Sequence, residues 1–459
     1  IGGMGFSAKS YGSIIGANDR INVGVIGIRN QGTVHIKSLL TIKDSHNVEV
    51  KALCDADERL FDSASKIVFE KTGVNPAAEW DMLKVLENKD IDAVTIAVPN
   101  HWHALATVWS CQAGKHVYIE KPASHNVWEG RKMVEAKDKY KKRVQVGMQS
   151  RSSDNINEAI KFLHDGGIGD VYMARGLCYK ARYSYGWAKE DTIPATFHYD
   201  RWLGPATYRP YSEKRSHYAW HWYWDTGNGD TGNTGPHQLD IARWGMNKNE
   251  HPVSIYSNGG LYGFNKDEPT PENKAPGVMV YGGVETYGHD RTTQETPNTQ
   301  NCVFKYDDGK MIEFETRGFY SNQEGSHGQE VGNIFYGSEG WLEIYGETWN
   351  AFHGRDKKPF TGSKASNAKH YDEAQEDIKR SKHFANFIDA IRSGKDTDLK
   401  CNMNEGFYSS ALPLLANISY RLERNLKFMG EYEKFANDDE ADEMLTRIYR
   451  KPYVVPDEV

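Results

Sequence analysis

The first 150 residues alternate short apolar strands with helical segments, and no other feature restricts the fold as strongly. The strands fall at 21–27, 48–55, 93–99, 116–119 and 144–148, and the helices at 33–42, 58–71, 102–113 and 126–140. Strands alternating with helices of this length indicate βαβ units and a parallel sheet. The sequence therefore predicts an α/β domain over 21–150.

The first strand runs into a turn with the spacing of a dinucleotide-binding loop, which has the pattern Gly-x-Gly-x-x-Gly between a strand and a helix. Gly27 and Gly32 occupy its first and third glycine positions, and Arg29 occupies the second. Because the second glycine normally lets the backbone approach the pyrophosphate, Arg29 either covers the phosphates with its guanidinium or weakens binding. The turn residues expected to contact the cofactor are Gly27, Ile28, Arg29, Asn30 and Gln31.

Asp55, at the end of the second strand, is placed to accept hydrogen bonds from the adenosine ribose hydroxyls, which favours NAD over NADP. An ordinary turn aspartate would look the same in the sequence. Arg59, one helical turn later, leaves NADP open because a guanidinium there could pair with the additional phosphate.

A charged pair and a proline, Glu120-Lys121-Pro122, follow the fourth apolar strand. Open α/β sheets place their chemistry at the carboxyl ends of strands. A lysine there can hold a substrate hydroxyl and move its proton, although a solvated lysine would also fit this position.

In the order and spacing of its motifs, this chain resembles the glucose–fructose oxidoreductase / inositol dehydrogenase (Gfo/Idh/MocA) family. The motifs that carry the resemblance are the turn at 24–32, Asp55, and the segments 98–103, 120–122, 146–151, 229–240 and 383–392. They extend over nearly the full chain. The resemblance implies a Rossmann domain with a parallel sheet at 21–150 and an α+β domain with an open, mainly antiparallel sheet at 151–436. It further implies a nicotinamide cofactor and a sugar or cyclitol substrate.

The resemblance also assigns catalytic roles. In the family, the lysine of the Glu-Lys-Pro motif contacts the reacting hydroxyl and a histidine is the acid/base group, and these are Lys121 and His237 here. His237 suits the removal of a hydroxyl proton because imidazole titrates near neutral pH, and a structural histidine is the alternative. The family's aspartate is replaced by Asn233, which can orient a hydroxyl or the imidazole but cannot accept a proton. Without that negative charge we expect a lower pKa for Lys121 than in aspartate-bearing relatives, unless Asp230 or Asp240 partly restores it.

The loops that follow the later strands of this domain are expected to line the nicotinamide side of the site. The residues assigned to cofactor binding there are Val98, Pro99, Asn100, His103, Glu120, Lys121 and Gln149. His101 and His103 have the spacing of metal ligands, but no third ligand is evident in the sequence. No metal site is therefore expected.

Residues 179–224 hold 14 aromatic residues, whereas aromatics make up 12% of the whole chain. Aromatic faces stack on sugar rings and interleaved polar groups read hydroxyls, so we interpret this segment as the wall of a carbohydrate pocket. A hydrophobic core or an oligomer interface is the alternative. The residues predicted to bind substrate are Tyr179, Lys180, Arg182, Trp202, Asn233 and His237.

The formal net charge is −7 and no basic cluster stands out, which argues against nucleic acid and anionic membranes as partners. No stretch approaches the roughly 18 apolar residues of a membrane span. Five scattered cysteines predict buried free thiols. We expect an N-terminal arm at 1–20, either the remainder of an export signal or an ordinary flexible arm. We also expect a charged tail at 437–459 and a homo-oligomer, a dimer or tetramer, formed through the second-domain sheet. Similarity to a secreted branch of the family implies export to the periplasm, and a cytoplasmic location is the alternative.

Three classes of function fit these features. The first is an NAD-dependent oxidoreductase acting on a secondary hydroxyl of a sugar or glycoside, with Lys121 and His237 handling the proton. The second is a redox-neutral glycoside hydrolase, lyase or epimerase that uses tightly bound NAD transiently, a class that Arg29 and Asn233 fit slightly better. The third, a sugar-binding protein on a dehydrogenase scaffold, is disfavoured by the intact Lys121 and His237.

Overall fold

A parallel sheet forms the first domain. The computed structural model describes residues 19–182, 186–263, 278–281, 284–287, 292–318, 321, 322, 324, 328, 330–363 and 373–459. Within these residues, six parallel strands pair in the order β3-β2-β1-β4-β5-β6. The strands are β1 Ile21–Ile26, β2 Val48–Cys54, β3 Ala77–Glu79, β4 Ala93–Ile96, β5 His116–Ile119 and β6 Val144–Val146. The predicted parallel sheet is confirmed, and its order reverses between β1 and β4, where doubly wound sheets bind ligands.

Helices cover both faces of this sheet. They are α1 Asn30–Ile42, α2 Phe61–Thr72, α3 Met82–Glu87, α4 His103–Gln112 and α5 Val127–Lys139. The predicted helices at 58–71 and 102–113 each begin with a 3₁₀ turn, at Glu58–Leu60 and Asn100–Trp102. Asn126 caps α5, and its side-chain oxygen accepts a hydrogen bond from the Glu129 N–H at 2.9 Å.

The second domain is an open, mixed sheet in the order β16-β15-β14-β13-β7-β12-β11-β8-β17-β18. Its described strands are antiparallel except for the pair β7 and β12, so the predicted sheet type is confirmed. The predicted hairpins at 299–316 and 333–344 are the pairs β11–β12 and β13–β14. The strands are β7 Val171–Cys178, β8 Ser254–Gly260, β11 Thr299–Lys305, β12 Met311–Arg317, β13 Val331–Gly337, β14 Gly340–Tyr345, β15 Thr348–His353, β16 Thr361–Gly362, β17 Leu426–Met429 and β18 Lys434–Phe435, beside a separate hairpin of β9 Val278–Tyr281 and β10 Val284–Tyr287.

One helix of the second half, α9 (Gly235–Gly245), lies against the large sheet and brings the later sequence motif to the first domain. It packs on β7, β12 and β13, and it also packs on α11 (Met403–Leu422). Short 3₁₀ turns lie at Gln149–Ser152, Ala219–Trp222 and Asp396–Asp398. The helices are α6 Asp154–His164, α7 Tyr199–Leu203, α8 Gly229–Asn233, α9 Gly235–Gly245, α10 Glu373–Ser393, α11 Met403–Leu422 and α12 Asp439–Glu443.

The end of the chain returns to the first domain. Helix α10 packs on α1, and α11 packs on α5. A helix was predicted only from residue 381, but α10 begins at Glu373, within a stretch that we predicted to be a polar loop at 357–377. The predicted tail at 437–459 is packed down, because Tyr453, Val455 and Val459 are buried in the main hydrophobic core.

All five cysteines are buried and unpaired, as predicted. In the part of the chain that the structure describes, no helix has the length and apolar character needed to cross a membrane. The predicted arm at 1–20 lies outside the described residues except for its last two positions.

Candidate active site

Two glycines shape the turn between β1 and α1. Gly27 has a φ of +80°, and a Cβ there would lie 2.6 Å from the Ala97 carbonyl oxygen. A Cβ on Gly32 would lie 1.8 Å from the carbonyl oxygen of Gly27. Both positions therefore need glycine. Arg29 has an extended backbone and directly precedes Asn30, the first residue of α1, so the amino end of a long helix opens at this turn, as at phosphate sites.

Asp55, at the end of β2, lies beside the same turn and is hydrogen-bonded to it. Its carboxylate accepts hydrogen bonds from the Ile28 and Asp57 N–H groups, each at 3.0 Å. Burial raises the pKa of Asp55 to about 6, and the two N–H donors oppose that rise. Each carboxylate oxygen keeps acceptor capacity for a ribose hydroxyl.

Arg59 does not line the space next to Asp55. Its guanidinium donates two hydrogen bonds to the Asp57 carboxylate, both at 2.7 Å. It is absent from the residues that line the neighbouring cleft. The Arg59 guanidinium, which left NADP open in the sequence, is therefore already paired with Asp57.

A cleft of about 830 Å³ opens between the glycine turn and a set of aromatic side chains, and we call it the aromatic cleft. The glycine cradle and the two acceptor oxygens of Asp55 fit the phosphates and ribose of a dinucleotide. The residues that line it on the first-domain side include Gly27, Arg29, Asp55, Val98 and Pro99, and on the other side Phe197, Trp202, His217 and Trp220.

The aromatic cleft continues into a connecting cleft of about 790 Å³, which meets a charged chamber of about 1820 Å³. Glu120, Lys121 and Asn233 border both the connecting cleft and the chamber. Lys121 therefore stands at the junction of the two spaces. The predicted residues that line the connecting cleft are Arg29, Asn30, Gln31, Val98, Asn100, His103, Glu120, Lys121 and Asn233, and those that line the chamber include Gln31, Glu120, Lys121, Gln149, Lys180, Arg182, Asn233 and His237.

All three predicted catalytic residues line the chamber, and two of them, Lys121 and Asn233, also border the connecting cleft. The Lys121 Nζ donates to the main-chain oxygen of Asn233 at 2.7 Å and to its side-chain oxygen at 3.0 Å. The imidazole of His237 lines the chamber and makes no hydrogen bond to the described residues. It is therefore available to a ligand.

The two candidate proton carriers differ in their electrostatics. Burial lowers the pKa of Lys121 to about 8; the Glu120 carboxylate opposes this and the cation of Lys180 adds to it. Burial and the positive charge of Lys121 lower the pKa of His237 to about 3. The expectation that His237 titrates near neutrality is thus wrong in this setting, and Lys121 is the group whose charge changes close to neutral pH.

Glu120 holds a permanent negative charge behind Lys121. One of its carboxylate oxygens accepts hydrogen bonds from Gln31 at 3.0 Å and Gln149 at 2.9 Å, and lies 3.1 Å from the His35 ring. Burial alone would raise the pKa of Glu120, but the His35 contact and the neighbouring charge of Lys121 lower it to about 2. The side chain is fixed by these contacts and does not act as a proton carrier.

Neither aspartate expected to restore the missing charge lines the chamber. Asp230 is buried and accepts a hydrogen bond from the Arg182 Nε at 3.0 Å, although its charge does raise the pKa of Lys121 somewhat. Asp240 pairs with Arg151 at 2.8 Å, away from the chamber. The charge of Asp230 therefore partly restores the effect of the missing carboxylate on the pKa of Lys121, as expected.

Two predicted substrate residues lie elsewhere. Tyr179 is buried, and its hydroxyl donates to Glu315 at 3.2 Å while the Arg317 guanidinium covers its ring at 4.3 Å. Its side chain packs against the large sheet, with Leu177 and Ile334, and does not line the chamber. Trp202 lines the aromatic cleft instead of the chamber, because its segment crosses to the first domain. Of the four residues predicted from the aromatic segment, Lys180 and Arg182 reach the chamber.

The sequence did not predict that α10 forms part of the wall of the chamber. Glu376, Lys379 and Arg380 line the chamber, and Lys379 donates to Glu376 at 2.6 Å and to Glu347 at 2.8 Å. Their spacing of three and four residues is a helical signal that could have extended the predicted helix to this turn.

His101 and His103 each direct their ring nitrogens at backbone carbonyl oxygens. The His103 nitrogens lie 2.7 Å from the Pro122 oxygen and 2.8 Å from the Val98 oxygen. Those of His101 lie 3.3 Å from the Thr226 oxygen and 3.0 Å from the Trp202 oxygen. These contacts fix the loop after β4 against the cleft.

Comparisons with known proteins agree with this arrangement. Residues 21–148 match the Gfo/Idh/MocA oxidoreductase family, NAD-binding Rossmann fold, and residues 171–260 and 348–455 match the C-terminal alpha/beta domain of the same family. Together these matches span most of the chain.

Individual relatives are more distant. A glycosyl hydrolase family 109 protein of Shewanella pealeana is 30% identical over 135 residues, which is 28% of this chain and 29% of that protein. Two crystal structures share the fold. An oxidoreductase domain protein from Kribbella flavida has a TM-score of 0.63 at 18% identity, covering 89% of this chain and 99% of its own. The WlbA dehydrogenase from Bordetella pertussis, solved with NADH and UDP-GlcNAcA, has a TM-score of 0.60 at 17% identity with the same coverages.

The glycine cradle, the acceptors of Asp55 and the family matches all concern one cofactor site, and NAD fits it. The chain therefore belongs to the Gfo/Idh/MocA family of NAD-binding oxidoreductases.

Proposed function

We propose that this protein oxidises a secondary hydroxyl of a sugar or glycoside, using NAD and a proton acceptor at Lys121. The observation that carries the proposal is the position of Lys121 at the junction of the cofactor clefts and the chamber, with a pKa lowered to about 8 by burial. A general base works best when its pKa is near the working pH.

The residues around Lys121 have separate parts in this reaction. NAD, when bound, would supply the two-electron acceptor for the carbon that carries the hydroxyl. Neutral Lys121 takes the hydroxyl proton, and the oxygens of Asn233 hold its Nζ in place. His237, neutral because its pKa lies near 3, can hydrogen-bond the same hydroxyl or its neighbour. The negative charge of Glu120 lowers the free-energy cost of protonating the buried Lys121.

A redox-neutral glycoside hydrolase, lyase or epimerase that retains NAD is a second candidate. Oxidation of one sugar carbon acidifies the neighbouring C–H bond, elimination or epimerisation follows, and the electrons then return to the sugar. The name of the Shewanella relative, a glycosyl hydrolase family 109 protein, supports this class. So do the aromatic side chains that line the cofactor cleft, because stacking on a bound dinucleotide would slow its exchange.

The test combines cofactor content with product analysis. The purified protein is dialysed and denatured, and NAD is assayed in the supernatant. The native protein is then mixed with a panel of glycosides while the absorbance of reduced nicotinamide is followed. Net accumulation of reduced cofactor and an oxidised sugar supports the dehydrogenase, whereas a transient signal with a released aglycone supports the redox-neutral class. No change with any sugar, together with no effect of NAD on thermal stability, would contradict both.

Export to the periplasm and assembly through the second-domain sheet remain part of the proposal. Export rests on the resemblance to a secreted branch of the family, and fractionation of the host cell tests it. Light scattering tests the assembly.

A further inference from the structure

The far wall of the aromatic cleft comes from one stretch of the chain, residues 196–221, which we call the aromatic strap. Phe197, Trp202, His217 and Trp220 of the strap face the cleft from the side opposite the glycine turn. We propose that the aromatic strap is the second half of the NAD site and retains the cofactor between turnovers. This inference rests on the cofactor site of the proposed function and adds binding residues that lie outside the Rossmann domain.

Main-chain hydrogen bonds attach the start of the strap beside Asp55. The Glu58 N–H donates to the Thr196 oxygen at 3.0 Å, and the His198 N–H donates to the Ala56 oxygen at 2.8 Å. These two bonds form a short antiparallel bridge centred on Asp57 and Phe197. The strap is therefore anchored within three residues of Asp55, the carboxylate expected to hold the ribose.

A second attachment lies at the loop after β4. The Trp102 indole N–H donates to the Trp202 oxygen at 3.0 Å, and the His101 Nε2 lies 3.0 Å from the same oxygen. Burial lowers the pKa of His101 to about 3, so the ring is neutral and one nitrogen can donate. A Cβ on Gly204 would lie 2.2 Å from the Trp102 ring, so glycine permits this close approach.

The end of the chain braces the strap from outside. Arg450 donates to the Asp200 carboxylate at 2.6 Å and to the Gly204 oxygen at 2.9 Å. The Tyr453 hydroxyl donates to the Asp200 carboxylate at 2.9 Å. The segment that the sequence suggested was a tail thus holds the strap against the first domain.

The inner face of the strap has the chemistry of a nucleoside site. Its rings offer flat apolar faces to a planar base, and such stacking tolerates many ligands. Trp220 borders both the aromatic and the connecting clefts and stacks on His221 with ring centroids 3.6 Å apart. His217 lies in the same two clefts, opposite Arg29. The strap therefore lines one side of the space for a dinucleotide, and its three attachments hold these rings against the first domain.

The experiment measures cofactor release rather than activity. Wild type, Trp220→Ala and the control Tyr208→Ala are purified in parallel. Tyr208 belongs to the strap but is 68% exposed and does not line the aromatic cleft. After loading with NAD, the dissociation rate is followed by displacement with excess cofactor labelled with an isotope. We expect Trp220→Ala to release NAD at least about tenfold faster than wild type, and Tyr208→Ala to match wild type.

A second variant guards against misfolding of Trp220→Ala. Asp200→Ala removes the brace at an exposed side chain outside the cleft, and it should also speed NAD release while leaving circular dichroism unchanged. Wild-type rates in both variants would overturn the role of the strap. Rapid exchange of NAD in the wild type would overturn retention but leave the proposed function standing. Failure of wild type to bind added NAD at all would overturn the proposed function as well.

Discussion

The two ends of the ligand groove are built from opposite chemistry. The aromatic cleft is lined largely by apolar side chains, and one pair of its charged residues, Arg201 and Asp81, forms a salt bridge at 2.9 Å. The charged chamber is lined by lysines, arginines and glutamates, and among the described residues Lys180 and the His237 imidazole have no partner there. The first end is suited to holding one ligand, and the second to exchanging another. Variants at the two ends should therefore separate cofactor retention from turnover.

The largest effect is expected for Lys121→Met. The variant removes the proton acceptor but leaves the glycine turn and the aromatic strap unchanged, so it should keep its NAD. General acid–base groups contribute about 10²–10⁴-fold to rates, and a loss of that size is expected in the reduction of bound NAD by an active sugar. Stopped-flow absorbance with the loaded protein measures it.

Lys66→Met is the matched control, because Lys66 lies on α2 with its side chain 74% exposed. It should behave as wild type. A Lys121→Met protein that reduces its cofactor at the wild-type rate would show that Lys121 takes no part in the chemistry. Loss of NAD from that variant would contradict the separation of cofactor retention from turnover.

Asn233→Asp should move the pH dependence of the reaction. A carboxylate next to Lys121 favours the charged ammonium, so the pKa of Lys121 should rise above its present value of about 8, by about one unit or more. Because the neutral amine is the active form, the rate at neutral pH should fall and the rising limb of the profile should shift to higher pH. An unchanged profile would show that this lysine does not control the rate.

Lys180→Ala should have the smallest effect. Lys180 is an exposed cation on the wall of the chamber, and single exposed charge contacts are worth about 1 kcal/mol or less. A rise in KM of up to about fivefold with kcat nearly unchanged is therefore expected from steady-state kinetics. A large fall in kcat would instead place Lys180 in the proton-transfer step.

The first-domain wall of the groove was predictable because its signals are local. Gly27, Asp55 and Lys121 each follow a strand within a few residues, and a strand-turn-helix pattern fixes what faces the carboxyl edge of a parallel sheet. The pKa values were not predictable in this way, because they depend on burial and on charges distant in sequence, which separate Lys121 from His237.

The opposite wall depends on long-range packing that composition cannot reveal. The aromatic segment was identified correctly as unusual, but its rings were assigned to the sugar, whereas Trp202 crosses to the first domain and Tyr179 turns into the sheet. Lys379 and Arg380 were missed because they lie between the predicted loop, which ended at 377, and the predicted helix, which began at 381. Contacts of α10 with α1 and with the turn Gln149–Ser152, distant in sequence, place them at the chamber.

The central claim is that Lys121, rather than His237, takes the proton beside the cofactor. The most direct measurement is the pH profile of the single-turnover rate of reduction of bound NAD, in wild type and in His237→Gln. The account predicts a rate that rises with pH and levels off above an inflection near pH 8, with the same inflection in His237→Gln. An inflection near the ordinary imidazole pKa of about 6.5 that disappears in His237→Gln would contradict it.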